Sequence, residues 1–118
     1  MPNFLFFKQI MTDGIDINTV SDELSHVELA NIEELTYYFV FKPDPTAVTA
    51  GAVQPETNVR SAIKEPVLDG SWSPEGSPTT FTADGTKHVM ISGITMWRRV
   101  RISTAIVGGS VDVYVMGR

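Results

Sequence analysis

Two alternating runs flanking a glycine pair near the C-terminus constrain this 118-residue chain more than any other feature. Val100, Ile102, Thr104 and Ile106 fall on one face of the first run, with Arg99, Arg101, Ser103 and Ala105 on the other. In the second run Val111, Val113 and Val115 share a face, opposed by Asp112, Tyr114 and Met116. A period of two is the signature of a half-buried strand, because successive side chains leave opposite faces of the pleat. Gly108-Gly109 between the runs suits the positive φ angles of a two-residue hairpin turn. Such a turn pairs Val107 with Ser110, so that residue numbers across the hairpin sum to 217 and Ile106 faces Val111, Thr104 faces Val113, and Ile102 faces Val115. A slip of one residue sets the Val row against Arg99 and Arg101 instead. The expectation is a tight antiparallel hairpin.

The remaining strand signals are shorter. Leu35 to Lys42 is rich in aromatic and β-branched residues and stops at Pro43 and Pro45. Phe4 to Met11 reads as a strand ending at Asp13-Gly14, His88 to Ser92 as another, Thr79 to Thr82 as a short one, and Thr57 to Lys64 as a further candidate. Residues 22–35 fit either a helical face through Leu24, Val27, Ile32 and Leu35 or a strand around Val27 and Leu29, and strands are favoured because their surroundings are β. The stretch from Pro43 to Pro55 has no reliable period, and Ala47 to Val53 reads as a loop or edge segment. Seven or eight short strands at roughly ten-residue spacing, without βαβ alternation, predict one all-β domain over residues 1–118, an antiparallel β-sandwich or jelly roll.

Composition narrows the function classes. The chain has no cysteine, which excludes disulfides, thiolate metal sites and cysteine nucleophiles. A net charge of −5 and a pI near 4.8 argue against nucleic-acid binding. No run approaches the ~18 apolar residues of a membrane span, and Lys8 interrupts the apolar Phe4 to Phe7, so neither a membrane segment nor a signal peptide is expected. Residues 1–59 carry nine acids against two bases, whereas 60–118 carry five against seven, an imbalance consistent either with a dipolar surface or with ordinary solubility.

Catalytic and metal motifs are scarce. His26 and His88 stand alone in different segments. Gly109-Ser110 lacks the flanking pattern of a nucleophile elbow. Asp13, Asp16 and Asn18 loosely resemble a calcium loop but lack its following glycine and distal glutamate. No catalytic residue, cofactor or metal is assigned, and the expectation is a non-enzymatic protein. Two features stand out as contact-forming. Trp97, Arg99 and Arg101 lie on the non-core face of their strand, and the hairpin register adds Tyr114 and Met116. These are types enriched in interface cores, so the five form a candidate interface, the alternative being an ordinary solvated face. Trp72 sits in the loop Asp69-Gly-Ser-Trp-Ser-Pro-Glu-Gly76, as an anchor for the end of the sandwich, a stacking platform for a ligand such as a sugar, or a protein contact.

The 47 residues from Trp72 through Arg118 combine a Trp in a Gly/Ser loop, two short strands, and the closing run Gly-Gly-Ser-Val-Asp-Val-Tyr-Val-Met-Gly-Arg. In this the segment resembles the C-terminal half of small β-sandwich virion proteins of tailed bacteriophages, among them capsid decoration (cement) proteins. The resemblance implies a structural protein of the virion, assembled in the bacterial cytoplasm, that binds and braces the assembled head. Its partners would be the major capsid protein or other virion proteins, and a homo-oligomer, with a trimer favoured, is the implied state. The alternative is a carbohydrate- or receptor-binding module of a tail or fibre.

Overall fold

The computed structural model describes residues 6–29, 32–58, 72–92 and 97–118, of which the side chains of Phe6, His26 and Val27 are not described. Among the described residues eight strands form two antiparallel sheets: β1 (Phe6–Gly14), β2 (Glu34–Pro43), β3 (Ala50–Asn58), β4 (Ser73–Pro74), β5 (Thr79–Thr80), β6 (Gly85–Ser92), β7 (Trp97–Val107) and β8 (Gly109–Gly117). The first sheet has the order β1-β8-β2-β6. In the second, β3 pairs with β7 on one side and with β4 and β5 on the other.

Residues 18–24 complete the second sheet as an irregular strand on the far edge of β7. Backbone bonds run from the N–H of Asn18, Ser21 and Leu24 to the carbonyls of Ile102, Val100 and Arg98, and isolated bridges join Val20 to Arg101 and Leu24 to Arg98. At Val100 the backbone N–H donates to the Ser21 hydroxyl at 2.8 Å, so a side chain supplies the acceptor that a regular strand would have provided. With this segment counted, chain order and sheet order together give a jelly roll: β1, β8, β2, β6 in one sheet and residues 18–24, β7, β3, β4/β5 in the other.

The expected hairpin is overturned by this topology. Val107 pairs with Ala50 of β3, whereas Gly109 pairs with Pro43 of β2, so Gly108 alone carries the chain from one sheet to the other. Ser110 pairs with Lys42 rather than with Val107. The physical reason is local. The Gly108 carbonyl accepts from both the N–H and the hydroxyl of Thr46, in the segment that crosses between the sheets from β2 to β3. Gly108 has φ +91°, and a Cβ there would collide with the Ala47 carbonyl oxygen; at Gly109 it would collide with that of Lys42. The glycine pair thus serves the packing of two crossing strands, not a two-residue loop.

The alternation still identifies the core. Val100, Ile102 and Ile106 from β7 and Val111, Val113 and Val115 from β8 are all buried in one cluster, approached from opposite sheets. Leu35, Tyr37, Phe39 and Phe41 of β2 join them, and Phe41 stacks on Phe81 with ring centroids 3.7 Å apart.

Two other expectations change, and a third falls mostly outside the described residues. Ala47 to Val53, read as loop or edge, contributes to β3, an interior strand of the second sheet. Pro55 is tolerated there because β5 pairs at Ala52 and Val53 and β4 resumes at Glu56, leaving Pro55 opposite the gap, where the Glu75 N–H reaches its carbonyl. The proposed strand over Thr57 to Lys64 lies outside the described residues beyond Asn58. In 22–35 the favoured strand gives way, over His26–Leu29, to one helical turn, α1. The turn is fixed by a capping box: the Ser25 hydroxyl accepts from the Glu28 N–H, and the Glu28 carboxylate accepts from the Ser25 N–H, each at 3.2 Å. Glu28 also pairs with Lys8 of β1 at 2.7 Å.

Two outcomes are expected. Gly108→Asn, harmless in a hairpin turn of the type first expected, should destabilise the domain by about 2 kcal/mol or more, since its Cβ meets backbone at the crossing. Urea denaturation checks this, and a change under ~0.5 kcal/mol would contradict the crossing. Burial raises the Glu28 carboxyl, but hydrogen bonds from Lys8 and from the Ser25 N–H outweigh it and hold the group below its ordinary 4.5. Its contribution is therefore present above pH 4.5 and lost as pH falls through the lower folded value. Amide exchange of α1, followed by NMR against pH, should show the turn loosening in that acid range before the core strands do.

Candidate interaction face

The five residues expected to share one interface face are divided by the Gly108 crossing. Trp97, Arg99 and Arg101 lie on the outer face of the second sheet, and Tyr114 and Met116 on the outer face of the first.

The outer face of the second sheet is occupied by its own ion pairs. Glu56 of β3 stands opposite Arg99 in register, accepting from Arg99 Nε at 2.8 Å and from Arg101 Nε at 3.0 Å. Arg101 also donates to Asn18 Oδ1 at 3.2 Å. Trp72 covers Arg99, with the guanidinium carbon 4.3 Å from the ring centroid. Trp72, Trp97, Arg99 and Glu56 are each at most 8 % exposed. The loop tryptophan is buried, with one ring face closed by an arginine. Arg98 points the other way, into the end of the core, where it is 2 % exposed and bidentate to Glu75 at 3.0 and 2.9 Å. The buried Tyr37 phenol lies in the field of this pair, and burial pushes it well above its usual range.

The outer face of the first sheet has a different chemistry. Inward positions of β2 and β8 are odd-numbered, so the even-numbered ones face out: Thr36, Tyr38 and Val40 from β2, Asp112, Tyr114 and Met116 from β8. The registers align them in rows. Gln9, Tyr114, Tyr38 and His88 cross the sheet in one row, and Phe7, Met116, Thr36 and Met90 in the next. Phe7 stacks on Tyr114 at 6.0 Å and 22°, and Tyr38 leans on His88 at 6.0 Å. Phe7, Tyr38, Val40, Thr86 and Tyr114 line a shallow depression of about 300 Å³ with an apolar surface. Phe7 and Met90 are more than half exposed.

Among the described residues, charge is confined to the ends of this face. At one end Lys42 bridges Asp13 at 2.6 Å and Asp112 at 3.0 Å, and the hydrogen bonds it donates to the two carboxylates hold the ammonium above its usual range. At the other, Arg118 pairs with Glu34 at 2.7 Å. Between them, among the described residues, the one ionisable side chain besides the two tyrosines is His88. Asp13 and Asn18, two oxygens of the calcium-like segment, are thus engaged by Lys42 and Arg101. Among the described residues no group of three His, Cys, Asp or Glu is placed to hold a metal ion.

The sequence places Tyr114 and Met116 on a non-core face, and the structure sets Phe7, Tyr38, Val40 and Met90, not singled out there, on the same face. The signal was present: Tyr38 and Val40 alternate with the core residues Tyr37, Phe39 and Phe41. A strand apolar on both faces departs from the in-out alternation of an antiparallel sheet with one solvated face.

Neither a protein-family model nor a curated protein matches the chain. Among solved structures it is similar to the coat protein of tobacco streak virus, solved as a dimer, at 13 % identity over 99 % of this chain and 86 % of that one, with a TM-score of 0.45. A likeness at that identity and score carries no functional argument.

Glu56→Gln should cost about 3 kcal/mol in chemical denaturation, because it leaves two guanidinium groups, one of them buried, without their carboxylate. A loss under ~1 kcal/mol would mean that the pairs are decorative.

Proposed function

We propose that this is a non-enzymatic structural protein of a phage virion, a decoration protein that binds the assembled head through the outer face of the β1-β8-β2-β6 sheet. One observation carries the reading: a solvent-facing sheet surface holds Phe7, Tyr38, Val40, Met90, Tyr114 and Met116, with the charges of the described residues at its ends. Four strands of eight to ten residues give this face a flat area of roughly 500 Å². Part of it is apolar, and the largest apolar patches on monomers, ~300–600 Å², are often functional sites. Its aromatic and methionine content matches interface cores more than solvated surface. The resemblance of residues 72–118 to phage virion proteins supplies the virion context, and jelly rolls include viral capsid domains, though a fold by itself assigns no function. The partner in this reading is the major capsid protein, met in the bacterial cytoplasm during assembly.

A second reading, a glycan-binding module of a tail or fibre, now rests on the same face. Tyr38, Tyr114 and Phe7 present rings at an open depression, which the buried Trp72 does not.

The test is co-sedimentation with heads of the encoding virus prepared without this protein. The wild-type chain should sediment with the heads to saturation. Tyr38→Lys combined with Tyr114→Lys should weaken binding by about 30-fold or more, the ~2 kcal/mol of an interface hot spot, while leaving the fold intact because both positions point outward. Failure of the wild type to bind heads at tens of micromolar, together with a positive glycan array, would replace the first reading by the second.

A further inference from the structure

The sandwich has four sheet edges, and three are blunted in ways that natural proteins use to prevent strand addition. β1 is interrupted by register shifts between Gln9 and Met11 and between Met11 and Gly14, with Asp13 at φ +52°. Residues 18–24 make only isolated bridges. On the opposite side of the second sheet, β4 and β5 are two residues each.

β6 is the exception. It pairs with β2 over eight consecutive residues, Gly85 to Ser92, without a register shift, and among the described residues nothing pairs with its other edge. It contains no proline and no acid. Its one lysine does not guard the edge: Lys87 Nζ is drawn back to the Thr80 carbonyl at 3.0 Å and lies 4.7 Å from the centroid of the Phe81 ring. Val89 and Ile91 pack against the core yet remain only half-buried, so the core is open along this flank, and Met90 beside them is 53 % exposed.

The geometry points to antiparallel pairing of β6 with β6 of a second copy of this chain, about a two-fold axis through Val89. A two-fold contact closes both free edges at once, whereas a strand from another protein would leave a new one. The register follows from parity and charge. Even-numbered residues of β6 face outward with Tyr38 and Val40, so only pairings with an even sum keep outward side chains beside outward ones and match backbone donors to acceptors. With His88 on the axis the two imidazoles stand directly opposite one another, and the two Lys87 lie on a diagonal. With Val89 on the axis residue numbers sum to 178: Val89 faces Val89, His88 faces Met90, and Lys87 faces Ile91. No like charges are then opposed, and a β-branched pair occupies the centre.

The result is a continuous eight-stranded sheet. Its outer face doubles from roughly 500 to about 1,000 Å², passing the ~800 Å² per partner of a standard stable interface. An edge that pairs with itself gives a dimer, not the trimer implied by the sequence resemblance. This inference rests on the edge alone and stands or falls separately from head binding.

Because the chain has no cysteine, engineered thiols report the register directly. His88 is exposed and Met90 more than half exposed, so substitutions there leave the core intact. In the 178 register, the double variant His88→Cys, Met90→Cys should oxidise to a covalent dimer. Either single variant alone should not, since its thiols are two residues out of opposition and beyond the ~7 Å Cα limit of a disulfide. Mixing the two single variants should restore cross-linking. Light scattering of the wild-type chain should give twice 13.0 kDa. A 13.0 kDa monomer at hundreds of micromolar, or equal cross-linking of the singles and the double, would overturn the proposal.

Discussion

Everything in this structure depends on the crossing at Gly108. One residue separates a strand paired with β3 from a strand paired with β2, and it fits only because no side chain stands between its backbone and the Ala47 carbonyl. Once β7 and β8 belong to opposite sheets, each becomes central. β8 lies between β1 and β2, and β7 lies between residues 18–24 and β3. Their apolar rows then meet through the core rather than side by side, and their other faces are turned to opposite sides of the molecule.

Those two outer faces have taken different chemical routes. On the second sheet, Arg99 and Arg101 share Glu56, and Trp72 closes over the arginine. Buried ion pairs of this kind contribute little net stability but are costly to break, so they pin the strands in one register. They also account for part of the charge asymmetry along the chain. Two arginines of the basic half share one acid of the acidic half, which offsets one of their two charges and draws both onto the sheet. The first sheet keeps its charges at its two ends and leaves an aromatic and methionine surface between them.

Much of the fold was legible in the sequence because period-two alternation reports which side chains face the core. Val100, Ile102, Ile106, Val111, Val113 and Val115 were all placed correctly. The same pattern does not report which strands are neighbours. A hairpin and a crossing both set the β7 and β8 rows facing one another, so the agreement between turn chemistry and alternation could not separate them. What decides is the Thr46–Gly108 contact, made by a segment more than sixty residues away along the chain. The same gap split the candidate interface. Tyr114 and Met116 were on a contact-rich face, but their companions Phe7, Tyr38 and Met90 come from strands brought alongside only by the tertiary fold. The turn at His26–Leu29 had a signal in Ser25 and Glu28, whose capping-box spacing went unused when the surrounding β pattern favoured strands.

The central claim is that the outer face of the β1-β8-β2-β6 sheet is the surface this protein uses in assembly. Hydroxyl-radical footprinting suits it, because the side chains concerned are tyrosines, methionines and a phenylalanine. In the free chain Phe7, Tyr38, Met90, Tyr114 and Met116 should be oxidised readily. In the assembled particle they should be protected together, while Trp72 and Trp97 remain as protected as they already are in the fold. Full reactivity of that set in the particle, with new protection confined to the other sheet, would contradict the account.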